Sequence, residues 1–354
     1  MDWNFVLFSA VKILCVFAVV LTMVAYSVLV ERKVCAVIQD RVGPNRAALP
    51  LIAAIPVIGP FLVRLGIFQP LADGLKLILK EDFTPEHVRH VYFWLAPAIT
   101  MIPALLTVAI IPFGSELNGH RMVIADLNVG VLYTFGIVSL GVYGIVLAGY
   151  ASNSKYSFLG GIRSSAQMIS YEIAMGMSVI PIFLLVGDLN LSKVIEYQAH
   201  GGWMIFKQPV AFAIFIVAAL AETNRLPFDF PEAEQELAGG YNVEYSSMKF
   251  GMFFMGEYAN MVMSSALVAT LFLGGWTLPF LGLDQPATTL AGGLLHIAIF
   301  LAKFGLVLML LIWVRWMLPR FRYDQLMDLG WRRFIPLALA NILVTAVVLW
   351  MKSN

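Results

Sequence analysis

Between residues 222 and 244 the chain places Glu222, Asp229, Glu232, Glu234, Glu236 and Glu244, six of its 22 acidic residues, in a stretch of 23. Leu226, Pro227, Phe228, Phe230, Pro231 and Leu237 are interleaved with them, so the segment is expected to pack against other protein instead of standing in water as a solvated loop. Closely spaced carboxylates in a partly buried site cannot all ionise. Desolvation and like charge both favour the neutral form, and the protons titrate as a coupled set. Such a cluster can store and release protons. Arg225 is the one positive charge beside it in sequence before Lys249.

Three further charges lie inside apolar runs: Glu172 in Ile169-Ser170-Tyr171-Glu172, Glu257 in Phe254-Met255-Gly256-Glu257-Tyr258, and Lys303. A charge at the centre of a membrane helix costs about 2.5–3.5 kcal/mol on insertion scales, so each needs a partner. Two readings stay open for them, a satisfied contact between helices and a station in a proton or ion relay.

The elements that must position these residues follow from composition. The 354 residues are 60% hydrophobic and 13% charged, against about 25% charged in soluble domains, which makes the chain an integral membrane protein. A span needs about 20 apolar residues. Eight stretches qualify as an all-α polytopic fold: 5–30, 91–113, 128–150, 169–187, 209–222, 251–275, 291–314 and 335–351. The loops 31–90, 151–168, 223–250 and 315–334 hold 17 Lys and Arg residues, and the loops 114–127, 188–208 and 276–290 hold 3. The positive-inside rule then makes the first set cytoplasmic and puts both termini on the periplasmic side. Residues 1–354 read as one transmembrane domain, without repeats or a soluble domain. The opening Met-Asp-Trp-Asn lacks a positive n-region and no Arg-rich transit segment follows, so a retained first helix in a bacterial inner membrane is expected.

The first cytoplasmic loop carries two membrane-active segments. Residues 47–68 are apolar but broken by Pro50, Pro56, Gly59 and Pro60, which favours a re-entrant or interfacial segment over a ninth span. From Leu71 to Leu79 the apolar spacing, with Asp73 and Lys76 at i, i+3, fits an amphipathic surface helix. In the last cytoplasmic loop, the charges of the stretch from Arg315 to Asp324 serve topology first, with an anionic partner surface or lipid as a second use.

Several chemistries are excluded. A net charge of +1 gives no field for nucleic acid. Cys15 and Cys35, the only cysteines, cannot build a disulfide scaffold, a zinc site or an iron–sulfur cluster. His87 and His90 lack a third ligand in sequence, and His296 reads as a hydrogen-bonded core residue, so no metal is expected. Gly160-Gly161 and Gly239-Gly240 match neither GxGxxG nor a Walker spacing, so no nucleotide site is expected either.

An ordered set of motifs resembles the membrane-embedded H subunit of bacterial NADH–quinone oxidoreductase, respiratory complex I, equivalent to mitochondrial NADH dehydrogenase subunit 1. The set runs through Glu31-Arg32-Lys33, Gly43-Pro44-Asn45, Gln69-Pro70 with Ala72-Asp73-Gly74, and Gly160 to Arg163 with Gln167 and Tyr171-Glu172. It continues through Glu222-Thr223-Asn224-Arg225, Pro227-Phe228-Asp229, Glu244-Tyr245, Glu257-Tyr258 and Pro319 to Gln325. One departure is the long Pro-rich stretch between Asn45 and Gln69, which is shorter in the mitochondrial pattern.

The resemblance implies an eight-helix component of a proton-translocating NADH:quinone oxidoreductase, forming much of a quinone tunnel and holding no flavin mononucleotide, iron–sulfur cluster or metal. It implies a tunnel lined or shaped by Arg32, Arg41, Asp73, Phe254 and Arg322, with quinone, ubiquinone in kind, as substrate. Asp229, Glu232, Glu234, Glu236 and Glu244 would form an acidic connection continued by the buried Glu172, Glu222 and Glu257, with Arg163 and Arg225 balancing charge. Partners would be soluble quinone-site subunits on the cytoplasmic side, membrane-arm subunits laterally, and lipid. Two rivals are a stand-alone ion-coupled transporter using Glu172, Glu257 and Lys303, and a docking subunit of a related hydrogenase or other dehydrogenase. The absence of half-to-half similarity weighs against the first, and the intact quinone-side motifs weigh against the second.

Overall fold

The computed structural model describes residues 3–48, 58–117, 120–231, 234–279, 282–287 and 289–353. The chain is helical nearly throughout. The helices are α1 (Trp3–Ile38), α2 (Ile58–Leu65), α3 (Gln69–Leu79), α4 (His90–Leu106), α5 (Gly130–Ala151), α6 (Lys155–Val186) and α7 (Leu191–Gly201). They continue with α8 (Met204–Lys207), α9 (Pro209–Glu222), α10 (Glu234–Leu237), α11 (Ser247–Phe272), α12 (Leu290–Met317), α13 (Tyr323–Asp328) and α14 (Ile335–Ser353). The strands β1 (Glu116–Leu117) and β2 (His120–Arg121) pair antiparallel, with Glu116 opposite Arg121.

A helix lies at each of the eight expected stretches. Among the described residues six helical stretches are long and apolar enough to cross a membrane: Ser9–Ile38, His90–Ile110, Gly130–Ala151, Lys155–Val186, Leu290–Met317 and Tyr323–Lys352. The other two differ for physical reasons. α9 has 14 residues, a rise of about 21 Å at 1.5 Å per residue, short of a hydrocarbon core of about 30 Å. α11 carries Glu257, Asn260, Ser264, Ser265 and Thr270, and every residue from Gly256 to Phe272 except Asn260 is buried. A helix surrounded by protein can be less apolar than one facing lipid. α11 is that inner helix, packed against α4, α12 and α1, while α6 runs against α5, α9 and α14.

Ends are set by local chemistry. α6 stops at Gly187, whose φ of 78° lets its N–H return to the Phe183 carbonyl. α7 starts at Asn190, whose side chain accepts from the N–H groups of Ser192 and Lys193. Lys303 of α12 donates to the carbonyls of Leu273 and Thr277 at 2.6 and 2.5 Å, closing the end of α11. His296 packs on Trp276, with Nδ1 2.7 Å from the Ser115 hydroxyl, as a core histidine does.

Residues 49–57 of the expected re-entrant segment 47–68 lie outside the described residues, and Ile58–Leu65 forms α2. The amphipathic helix is present as α3, with Pro70 in its first turn and no buried residue. The expected Asp73–Lys76 pairing does not form. Asp73 instead takes Arg32 of α1 at 2.7 Å and Gln69 at 3.1 Å, because a bridge to another helix competes with the weak local pair.

Helix contacts use small residues, as membrane bundles do. A Cβ on Gly144 of α5 would sit 2.2 Å from Thr100 Oγ1 and 2.7 Å from the Thr100 backbone nitrogen, whereas at Gly136 nothing lies within 4 Å. Gly144→Val is therefore expected to lower the thermal midpoint of the detergent-solubilised protein and its level in membranes, as overpacking by roughly 1–3 kcal/mol or more would. Gly136→Ala should leave both at or above the parent values.

Candidate functional site

Glu31 lies two turns before the end of α1, one turn after Ser27, on a face that is buried. Its carboxylate accepts from Arg225 Nη1 at 2.7 Å, from the Tyr258 hydroxyl at 2.8 Å and from Arg315 Nη1. The Arg225 guanidinium lies 3.6 Å from the centre of the Tyr258 ring and 3.8 Å from Glu257 Oε2. The Tyr241 hydroxyl donates to Glu257 Oε1 at 3.0 Å. Two carboxylates and two guanidiniums thus cancel as a set, drawn from α1, the loop after α9, α11 and the end of α12. Burial alone would lower the Arg225 pKa. Tyr258, Glu31 and Glu257 more than reverse that effect, and the net shift is upward, so the guanidinium stays charged.

The loop is held in place by α6. Gln167 donates to the carbonyls of Ala221 at 2.6 Å and Phe228 at 2.9 Å, and Asn224 takes a positive φ of 52°, turning the chain so that Arg225 faces inward. Gly160 lets the loop backbone close in: a Cβ there would meet the Pro231 carbonyl and the Tyr241 nitrogen, each at 2.9 Å. The Gly160-Gly161 pair serves this approach.

Against the network lies a cavity of about 460 Å³, walled by Glu31, Arg32, Arg41, Phe254, Tyr258 and Arg315 among others. That size falls in the usual range for sites holding organic ligands. α1 ends at Ile38 and Asp40 adopts a positive φ of 50°, which folds Arg41 back so that its N–H reaches the Ala36 carbonyl at 2.8 Å. The Arg41 guanidinium then stands 3.7 Å from Cys35 Sγ. Arg32, Arg41 and Phe254 line this cavity and Asp73 braces Arg32 from outside it. Arg322 does not join them. It is 78% exposed and paired with Asp324 at 2.6 Å, a local contact that holds it out in solvent.

The described loop acids do not form one shared cluster. Asp229 meets Arg320 at 3.0 Å, Glu236 meets Arg163 at 2.7 Å, and Glu244 lies 3.8 Å from His87. Arg225 turns to Glu31 and Glu257, and the described loop acids take their cations from distant segments. Arg163 does balance an acid, Glu236. Glu232 and the Glu234 side chain lie outside the described residues. Glu222 is buried, Glu172 is half-buried, and the two stand close enough for their charges to interact. Near the loop, burial raises the pKa of Tyr245, which stacks on Phe93.

Sequence reasoning missed Glu31, Arg315, Tyr241 and Tyr258 as site residues. Glu31 had a signal, a carboxylate directly following a long apolar run. Among the described residues no group of three or more His, Cys, Asp or Glu converges as metal ligands would.

The sequence matches the family model described as NADH dehydrogenase over residues 11–346. The NADH-quinone oxidoreductase H subunit 1 of Cytophaga hutchinsonii is 46% identical over 349 residues, covering 97% of this chain and 96% of the relative. The corresponding H subunit of Flavobacterium johnsoniae is 45% identical over 355 residues, covering 99% and 97%. The H subunit 1 of Geobacter metallireducens is 48% identical over 345 residues, covering 96% of each chain.

Removing one partner from a buried ion pair costs roughly 3–5 kcal/mol, because the other charge is left uncompensated. Glu31→Ala, which leaves Arg225 and Arg315 facing each other, should lower the melting midpoint in detergent by more than either arginine substitution alone. Adding Arg315→Met to Glu31→Ala should recover part of that loss. Additive losses in this double-mutant cycle would show that the arginines do not depend on Glu31.

Proposed function

Because this chain belongs to the NADH dehydrogenase family, together with the H subunits of NADH–quinone oxidoreductase, we propose that it is the membrane component of a proton-translocating NADH:quinone oxidoreductase that houses quinone and passes the effect of its reduction to buried carboxylates. The observation that carries this reading is a shared wall: Glu31, Tyr258 and Arg315 line the 460 Å³ cavity and also belong to the ion-pair network that reaches Glu257. Electrons arrive from other subunits, since two cysteines cannot hold a cluster.

A quinone head group in the cavity would meet the Arg41 and Arg32 guanidiniums as hydrogen-bond donors and Phe254 as an apolar wall. Reduction adds two electrons and two protons to the quinone. While charge and protons are unequal in the cavity, the Arg315 and Arg225 guanidiniums feel a changed field at a few ångströms in a low-dielectric site, where such effects are large. Arg225 holds Glu31 and Glu257 at once, so a shift of its charge toward one carboxylate favours protonation of the other. Glu172 and Glu222 would carry the response onward. Asp229, Glu232, Glu234, Glu236 and Glu244 would connect the site to protons at the loop face, with Arg163 and Arg320 setting which carboxylates stay ionised.

We infer further that α1, α4, α5, α6, α9, α11, α12 and α14 are eight spans of a bacterial inner membrane. The loops richest in Lys and Arg would face the cytoplasm, where soluble quinone-site subunits would dock, and both termini the periplasm. Membrane-arm subunits and lipid would cover the exposed apolar faces, and ubiquinone is the expected substrate.

The test separates native membrane complexes in mild detergent and asks whether this chain migrates with inhibitor-sensitive NADH:quinone reductase activity. Glu257→Gln in the assembled enzyme is then expected to lower quinone reduction and proton uptake by about tenfold or more, while NADH oxidation by a soluble electron acceptor is retained. Migration of the chain as a small free oligomer, with that activity elsewhere, would overturn the assignment.

A further inference from the structure

Another cavity, of about 380 Å³, runs between α1, α11 and α12 on the side of the loop 114–127. Its wall is made of aliphatic, sulfur-containing and aromatic side chains, with Lys12 as the one charged group. Along α1 two stripes line it. Val16, Val20 and Met23 lie deeper, while Val11, Cys15 and Val19, at i, i+4 and i+8, form an exposed edge. Leu301 of α12 is exposed as well. The cavity therefore opens sideways as a groove between α1 and α12. Water is a poor occupant, because it needs two to four polar partners and this wall offers almost none. Close-packed protein loses contacts wherever such a hollow stays unfilled, so an apolar chain is the occupant that the wall favours.

Lys12 gives that occupant a polar end. It is the one Lys, Arg, Asp or Glu between Asp2 and Glu31, and a charge in an apolar span is costly enough to imply a use. Its ammonium donates to the Val123 carbonyl at 2.6 Å and to the Arg121 carbonyl at 3.4 Å, which fixes the group where the loop meets α1. From Lys12 to Met23 the groove follows α1 for 11 positions, a rise of about 16 Å at 1.5 Å per residue. That is close to half of a hydrocarbon core of about 30 Å, the depth of one leaflet. A single cation thus stands at one end of an apolar groove as long as a leaflet is deep.

We propose that this groove binds one glycerophospholipid from the leaflet on the side of the loop 114–127, with an acyl chain lying between α1, α11 and α12 and the phosphate held at Lys12. Every glycerophospholipid carries that phosphate, so the site selects the class and not one head group. The tail of a quinone would fill the apolar part equally well but brings no anion to Lys12, which decides against it. The bound chain fills the space between α1 and its two neighbours, and so supports the helix that carries Glu31 toward its other end. The inference goes beyond the quinone reading and does not depend on it, because binding involves neither the cavity beside Arg41 nor a redox step.

The test uses the full chain in its native assembly, in the membrane and in mild detergent. A density map should show one elongated peak in the groove, ending in a phosphate-sized peak beside Lys12. Cys15, on the exposed edge, reports occupancy through its rate of reaction with an apolar maleimide, read on its own peptide by mass spectrometry. Stripping phospholipid with detergent should speed that reaction several-fold, and adding back vesicles of phosphatidylethanolamine and phosphatidylglycerol should slow it again. Lys12→Gln, which keeps a donor without the charge, should react fast before stripping, whereas Lys12→Arg should react as slowly as the parent. A labelling rate unmoved by stripping and add-back would overturn the proposal, as would Lys12→Gln reacting like the parent. Protection restored by quinone or by inorganic phosphate in place of phospholipid would also overturn it, and so would density in the groove that belongs to a neighbouring subunit. If Lys12→Gln does not assemble, the density and the labelling of the parent still decide. Quinone reduction is not the readout, so failure of this site leaves the quinone reading standing, and failure of that reading leaves this test intact.

Discussion

The structure depends on one requirement: four full charges gathered at the inner end of α1, three of them buried, must be neutralised by one another. Glu31 alone among apolar neighbours would be too costly to keep ionised, and so would Arg225. Meeting that requirement fixes the relative placement of segments that are far apart in sequence, since Glu31 is 194 residues from Arg225 and 284 from Arg315. A hydrophobic substitute of equal volume could be as stable. Retention of charge therefore argues for a use, and the cavity wall that the same side chains form supplies one.

Much of the architecture was legible because the bilayer imposes a length and polarity rule on every span. The eight apolar runs each became a helix, and the short α9 stood out at once. What could not be read was α11's place at the centre. Its Glu257, Asn260 and Ser264 look like faults in a lipid-facing helix, and only packing shows that protein, not lipid, surrounds them. The amphipathic α3 was legible from its periodicity, but not the partner of Asp73. A local i, i+3 pair with Lys76 is worth only a few tenths of a kcal/mol, and Arg32 on α1 displaced it.

The site was legible in residue types but not in pairings. Sequence placed six acids beside a single arginine, and that juxtaposition suggested one cluster with one counterion. The fold separates them: Arg320 reaches Asp229 across 91 residues and Arg163 reaches Glu236 across 73, while Arg225 turns away. Nothing in local spacing encodes such contacts. The small residues that permit them are visible only in retrospect. Gly160 and the positive φ at Asn224 let the loop fold flat on α6, which is why this acidic segment is built on backbone approach and Gln167 hydrogen bonds as well as on charge.

Two carboxylates of the bundle are buried in contrasting surroundings. Glu257 sits against a guanidinium and a tyrosine hydroxyl. Glu222 sits beside Glu172 and a small, mostly apolar cavity, with no cation paired to it among the described residues. Glu257 is tied through Arg225 to Glu31 at the cavity wall. One guanidinium thus joins the cavity wall to a carboxylate of the central helix. The same difference explains why Glu257 resembles a structural ion pair when viewed alone. Under the proposed coupling role, the contrast between Glu257 and Glu222 would set the direction in which a proton moves.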